Sequence, residues 1–159
     1  MRTIFFWLTV AFFIALAACQ NTAQNNETAR EQASEDRKCA YCGMPYADYP
    51  KWHVSVMPTE EAATYFCAPN CFFAHKLENS PSLEQAKITV VDYYDLSDTD
   101  GKTAFYVGGS DVAGPMGKGL VAFTTAQAAQ DFMADHGGSG VYQLEEVTPE
   151  VLKAAMAGQ

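Results

Sequence analysis

The sequence predicts an α+β fold made of two strand–strand–helix–strand units with a mostly antiparallel sheet. Short β-branched and aromatic segments alternate along residues 39–159 with stretches whose apolar residues recur at helical spacing. The order strand, strand, helix, strand occurs twice, which divides this region into candidate halves at 39–97 and 98–159. A region of this length is sufficient for one compact domain with its own core. The repeat is one of element order, since no sequence identity between the halves is evident.

In the first half, the alternating residues 52–57 predict a strand, and residues 63–66 predict a second short strand after a turn at 58–61. Asn70 is interpreted as the cap of a helix that runs to about Glu78. The β-branched and aromatic segment 88–94 predicts the closing strand of the unit.

The second half repeats this order. Strands are predicted at residues 103–107, 120–124 and 141–147, and the acidic segment 98–101 is interpreted as a turn. Residues 125–136 have apolar side chains at helical spacing, and the two glycines that follow predict the end of that helix. Pro149 predicts the first position of a terminal helix.

The N-terminus predicts secretion and lipid attachment. A basic start precedes a predominantly apolar run at 4–16, which is shorter than the roughly 20 residues of a spanning helix and therefore predicts a signal peptide at 1–18. The string Leu-Ala-Ala-Cys at 16–19 resembles the lipobox of bacterial lipoproteins, in which the cysteine, here Cys19, receives lipid. Residues 19–38 lack large apolar side chains and predict a lipidated cysteine followed by a flexible tether.

The charge balance excludes one class of partner. The chain has 19 acidic and 10 basic residues and a formal net charge of −9. This balance argues against nucleic acid, because phosphates are bound by lysine and arginine. It also disfavours electrostatic docking to anionic lipid, so any membrane attachment is expected through the lipid anchor.

Four cysteines remain after Cys19, and they form a C-x2-C and a C-x3-C motif: Cys39, Cys42, Cys67 and Cys71. Two disulfides are the simplest interpretation in an oxidising compartment. A four-thiolate zinc site and a Cu(I) site that uses only some of the cysteines are the alternatives. Thioredoxin-like exchange is disfavoured, because no predicted strand leads into the C-x2-C motif.

Two methionines add candidate soft ligands. Met44 lies two residues beyond Cys42, and in an extended segment both side chains would point to the same side. Thioether sulfur suits Cu(I) and is a poor ligand for zinc. Residues 108–119 are predicted to form a glycine-rich loop, and Met116 within it has little local packing, which makes it a further candidate ligand.

These motifs carry a resemblance to a known family. The lipobox, the Cys-Gly-Met motif at 42–44 and the Gly-Ser-Asp-Val-Ala-Gly-Pro-Met-Gly string at 109–117 resemble the NosL family. Its members are copper-binding lipoproteins that accompany nitrous oxide reductase. The Cys67 and Cys71 pair also resembles metal-binding domains of the TRASH type.

The resemblance implies a site and a role. The site is Cu(I) bound by Cys42, Met44 and Met116, and Cys39, Cys67 and Cys71 are additional candidates for the same ion or for zinc. The role is to supply copper to nitrous oxide reductase on the periplasmic side of a bacterial membrane, with a membrane transporter complex as the intermediary. By resemblance to lipoprotein sorting rules, Gln20 after the anchor, in place of Asp, weakly favours the outer membrane.

Three hypotheses about function follow. The first is a copper chaperone without catalytic activity, which needs the two methionines. The second is a membrane-anchored thiol–disulfide oxidoreductase, which needs Cys39 and Cys42. The third is a zinc-stabilised adaptor, which needs all four cysteines of the domain and tolerates the loss of Met116.

Overall fold

The computed structural model describes residues 37–59, 62–79 and 82–157. The predicted signal peptide, Cys19 and almost all of the predicted tether therefore lie outside the described residues. Within the described ranges, no helix has both the length and the apolar character needed to cross a membrane.

The first unit is an antiparallel sheet of four strands with one helix. Its elements are β1 (Val54–Met57), β2 (Thr64–Phe66), α1 (Pro69–Asn79), β3 (Lys87–Val91) and β4 (Asp98–Asp100). The spatial order of the strands is β2-β1-β3-β4. A short 3-10 helix, Pro50–Trp52, precedes β1, so the predicted first strand begins two residues later than the alternating pattern suggests.

The second unit is a three-stranded antiparallel sheet. Its elements are β5 (Phe105–Gly114), β6 (Gly117–Phe123), α2 (Ala126–His136) and β7 (Gly140–Tyr142). The spatial order is β6-β5-β7. A 3-10 helix, Leu144–Glu146, occupies the second part of the predicted closing strand, and α3 (Pro149–Ala157) follows with proline at its first position.

The topology confirms the predicted α+β fold and its two strand–strand–helix–strand units. In each unit the first strand is paired on one side with the second strand and on the other with the strand that follows the helix. The pairings β2-β1-β3 and β6-β5-β7 are therefore equivalent. β4, assigned to the second half at 98–159 from the sequence, pairs with β3 and is an addition to the first unit.

The second sheet is covered on both faces, which explains its nearly continuous buried sequence. Tyr106 and Leu120 belong to the larger core cluster, together with residues of α1 and α3. Val107 and Val121 belong to a smaller cluster with Phe132 of α2. Because successive strand residues point to opposite faces, strands between two layers read as apolar runs without alternation.

Two sequence interpretations are wrong at the level of local structure. The glycine-rich segment 108–119 is a β-hairpin and not a loop: β5 extends to Gly114, β6 starts at Gly117, and Pro115 and Met116 form the turn. A register shift between Gly108 and Ala113 accommodates this segment in the sheet. The acidic segment interpreted as a turn is the edge strand β4, which pairs with β3.

Asn70 is not a helix cap. It lies inside α1, is 5% exposed, and its side chain joins the two units. Its Oδ1 accepts a hydrogen bond from the Leu120 backbone N at 2.7 Å, and its Nδ2 donates to the Lys118 backbone O at 3.1 Å. Gly119, between these partners, has no space for a Cβ, which would overlap the Asn70 amide.

We therefore expect Asn70→Ala to lower the free energy of unfolding of the metal-free protein by about 2–4 kcal/mol, because two backbone groups lose their partners. Urea unfolding measures the change. Asn79→Ala in the same helix is the matched control, since Asn79 is exposed and bonds only to the His75 backbone O. Equal effects of the two substitutions would contradict the linking role of Asn70.

Candidate metal centre

The first two cysteines lie in a tight turn. A β-bridge between Lys38 and Pro45 closes the turn, the Gly43 N donates to the Cys39 O at 2.9 Å, and the Cys39 N donates to the Met44 O at 2.8 Å. Gly43 has a φ of +76°, a conformation that glycine adopts without steric cost. The Ala40 N donates to the Tyr65 O of β2 at 2.8 Å, so this turn is fixed next to the segment that carries Cys67.

The other two cysteines lie at the start of α1. Cys67 directly follows β2, and Cys71 is the third residue of the helix, one turn further along the chain. Pro69 at the first helical position starts the helix, and the Cys71 N donates to the Ala68 O at 3.1 Å. Both cysteines are buried, so their thiols face the protein interior and the turn described above.

The structure brings all four cysteines together. The Sγ atoms of Cys39, Cys42, Cys67 and Cys71 lie within 4.8 Å of one another. The Cys42 and Cys67 sulfurs are 3.5 Å apart, and those of Cys67 and Cys71 are 3.8 Å apart. A tetrahedral ion with metal–sulfur bonds of 2.3 Å requires sulfurs roughly 3.8 Å apart. All four thiols are free, so the disulfide alternative is not formed among the described cysteines.

The protonation of the cluster is uneven. A hydrogen bond from the Cys71 thiol lowers the pKa of Cys39 to about 4, although burial opposes this shift. The same hydrogen bond, followed by burial, raises the pKa of Cys71. Burial raises the pKa of Cys67 to about 12. One thiolate is therefore stabilised while neighbouring thiols keep their protons, and a cation between the sulfurs would favour further ionisation.

The two predicted methionine ligands differ in their surroundings. Met44 is partly buried and packs against the core cluster that contains the cysteines. Cys42 is in a turn and Gly43 has a positive φ, so residues 42–44 are not the extended segment from which a common direction of the Cys42 and Met44 side chains was predicted. Met116, in the turn between β5 and β6, is 36% exposed and lines a cavity that also contains Cys71. Their role as ligands stays a prediction.

One further methionine lies near the cluster and carries no signal in the sequence. Met156 of α3 is 45% exposed and lines the same cavity as Met116 and Cys71. No local signal could have shown this, because Met156 and Cys71 are 85 positions apart and only the packing of α3 against α1 brings them together.

The site geometry disfavours disulfide exchange. Thioredoxin-like motifs use a helix start to stabilise the attacking thiolate. Here Cys39 and Cys42 lie in a turn closed by a β-bridge, and the helix start is occupied by the other pair of cysteines. Only Cys42 of the four is partly exposed; the other three are buried.

The fold and the site together define a class of small α+β proteins in which two strand–strand–helix–strand units carry a cluster of cysteine thiols suited to a soft metal ion. The sequence model of the NosL family matches residues 30–152. The chain therefore belongs to the NosL family, which confirms the resemblance found in the sequence.

Two relatives agree with this assignment. The copper-binding lipoprotein NosL of Stutzerimonas stutzeri is 26% identical over 161 residues, covering 96% of this chain and 84% of the relative. The crystal structure of the copper chaperone NosL from Shewanella denitrificans is similar to this fold with a TM-score of 0.64. That match has 23% identity and covers 73% of this chain and 92% of the other.

Proposed function

We propose that the protein binds Cu(I) at the four-cysteine cluster and delivers it, from a lipid anchor on the periplasmic side of a bacterial membrane, for the maturation of nitrous oxide reductase. Copper is the cargo in this proposal. The observation that carries it is the convergence of four thiols from two separate segments within 4.8 Å. Membership of the NosL family, and relatives named for copper binding, support copper as the ion.

The chemistry of the ligands favours Cu(I) over harder ions. Thiolate and thioether are soft ligands, and no histidine or carboxylate belongs to the cluster among the described residues. Cys42, as the partly exposed cysteine, is the central ligand in this proposal. Met44 and Met116 are candidate thioether ligands. Each protonated thiol that binds copper releases its proton, so acid is expected to weaken binding.

A second candidate is a zinc-stabilised adaptor. The sulfur–sulfur distances of 3.5 and 3.8 Å are those of a closed tetrahedral site, which suits zinc. In that case all four cysteines would contribute equally, and neither methionine would matter.

One titration separates the two candidates. Anaerobic protein is titrated with Cu(I) in competition with a chromogenic Cu(I) chelator, and separately with Zn²⁺ in competition with a zinc chelator. We expect Cu(I) to bind more tightly than Zn²⁺. Zinc that binds with four equal cysteine contributions and is not displaced by Cu(I) would favour the adaptor and contradict the chaperone.

Membrane attachment is expected to depend on Cys19 alone. Cys19→Ser removes the predicted acceptor of lipid, so the mature protein should move from the membrane to the soluble fraction. Purified Cys19→Ser protein should keep the Cu(I) affinity of the wild type, because the metal centre lies in the region from Cys39 onward. A variant that still sediments with membranes after signal cleavage would exclude lipidation as the anchor.

A further inference from the structure

Two of the four cysteines belong to different segments of the chain and are nevertheless in contact through their sulfurs. The Sγ of Cys42, in the first turn, and the Sγ of Cys67, directly after β2, are 3.5 Å apart. A disulfide requires a sulfur–sulfur distance of about 2.05 Å, so the two atoms need to approach by about 1.5 Å. The backbone is already in position, because the Ala40 N donates to the Tyr65 O at 2.8 Å and holds the turn beside β2. A cross-link between these two cysteines therefore needs little movement of the chain.

The two thiols differ in exposure in the way that stepwise oxidation requires. Cys42 is partly exposed, whereas Cys67 is 0% exposed and the remaining two cysteines are buried as well. An oxidant dissolved in water therefore meets the cluster at Cys42. Once the sulfur of Cys42 has reacted, the buried thiol of Cys67 is in contact with it, and such proximity greatly accelerates an intramolecular displacement.

We propose that Cys42 and Cys67 are a disulfide-forming modification site, and that their oxidation and the binding of copper exclude each other. The proposal rests on the Cu(I)-binding function given above. The oxidant is the disulfide of a low-molecular-weight thiol. First, the Cys42 thiolate attacks one sulfur of this disulfide, the bond between its sulfurs breaks, and the leaving thiolate takes up a proton. Then the Cys67 thiol loses its proton to solvent and its sulfur attacks the Cys42 sulfur, which releases the second small thiol. The oxidant is reduced to two thiols, and two protein thiols are oxidised to one disulfide.

The mutual exclusion follows from the chemistry of the ligands. Metals are bound by thiolate, and a sulfur in a disulfide has no thiolate to offer. Oxidation therefore removes two of the four thiols, including that of Cys42, the central ligand of the proposed function. Conversely, copper bound to Cys42 occupies the sulfur that the oxidant has to meet. In an oxidising compartment the empty protein would thus need reduction before it can take up copper.

Peptide mapping tests the modification site. In full-length Cys19→Ser protein, the four cysteines of the domain are the only thiols. The copper-free protein is treated with excess oxidised glutathione, the remaining thiols are alkylated, and the protein is digested with trypsin. We expect a disulfide between peptides 39–51 and 52–76, which tandem mass spectrometry assigns to Cys42 and Cys67, with the other two cysteines alkylated. A disulfide within either peptide, or no disulfide, would overturn the proposal.

Two matched serine variants test the order of the steps. Cys39→Ser keeps both reacting thiols and should form the same cross-link as the parent protein. Cys67→Ser removes the second thiol only, so Cys42 should remain as a mixed disulfide with glutathione. A Cys67→Ser protein in which Cys42 stays unmodified would show that the oxidant does not enter at Cys42 and would contradict the proposed sequence.

Copper binding tests the exclusion. The oxidised protein should bind Cu(I) at least about 100-fold more weakly than the reduced protein, and reduction followed by removal of the reductant should restore the affinity. When chelator-buffered free Cu(I) is about 10 times the Kd, only about a tenth of the protein is copper-free, so cross-linking should slow by about 10-fold. Equal affinities of the two forms, or a rate that copper does not change, would overturn the exclusion and leave the proposed function intact. A reduced protein that takes up no Cu(I) would overturn the proposed function itself.

Discussion

Cys42→Ser should lower the affinity for Cu(I) by at least about 100-fold. Losing a residue that only hydrogen-bonds to a metal ligand already lowers metal affinity by about 10- to 100-fold, and losing the ligand itself should cost more. The hydroxyl of serine is a hard and weakly acidic ligand, so it cannot replace a soft thiolate. Cys42 is the partly exposed cysteine, so this substitution should leave the fold unchanged. Competition with a Cu(I) chelator measures the affinity, and circular dichroism checks the fold.

Two further variants in the same turn show whether the loss of affinity is specific to the sulfur ligands. Met44→Leu should cost less, about 10-fold, since a thioether contributes less than a thiolate. Tyr41→Phe is a control in the same turn, because it removes only the hydrogen bond of 2.8 Å to Glu78. If Cys42→Ser combined with Met44→Leu retained wild-type affinity, the assignment of Cu(I) to this turn would be wrong.

Loading with Cu(I) should raise the midpoint of thermal unfolding by about 10–20 °C when free metal exceeds the Kd about 1,000-fold. The gain arises because the four thiols converge only in the folded chain, so the metal binds the native state far better than the unfolded state. Anaerobic calorimetry of apo and loaded protein provides the comparison.

Two controls test whether this stabilisation comes from copper bound at the cluster. In Cys42→Ser the shift should shrink to a few degrees, and removal of copper by a strong chelator should return the wild type to the apo midpoint. An equal midpoint for apo and loaded wild type would show that the cluster is not the binding site, or that the metal binds both states alike.

The order of most helices and strands was predictable from the sequence, whereas the extent of the β5–β6 hairpin and the contacts of Asn70 were not. Hydrophobic periodicity and the two glycines after His136 place α2 correctly, with Thr125 as its cap. The hairpin around Met116 was missed, because its glycines suggest a loop, whereas β5 and β6 continue through them and turn only at Pro115 and Met116. Asn70 was mistaken for a cap for a similar reason, since its partners lie 48 and 50 positions away.

The candidate site was only partly predictable. The two cysteine motifs indicate metal binding, but spacing leaves disulfides, zinc and copper open. In the structure a hydrogen bond from the Ala40 N to the Tyr65 O links the first motif to β2 and hence to the segment that carries Cys67, a contact that spacing alone does not reveal. The proximity of Met156 to Cys71 depends on helix packing and leaves no trace in local sequence.

The central claim is that the four-cysteine cluster holds Cu(I) through sulfur. X-ray absorption at the copper and zinc edges, on full-length protein purified without oxygen, tests it most directly. The expected result is about one copper per chain, an edge position of Cu(I), and sulfur as the only first-sphere neighbour. Zinc bound by four sulfurs in place of copper, or copper with oxygen or nitrogen neighbours, would contradict the claim.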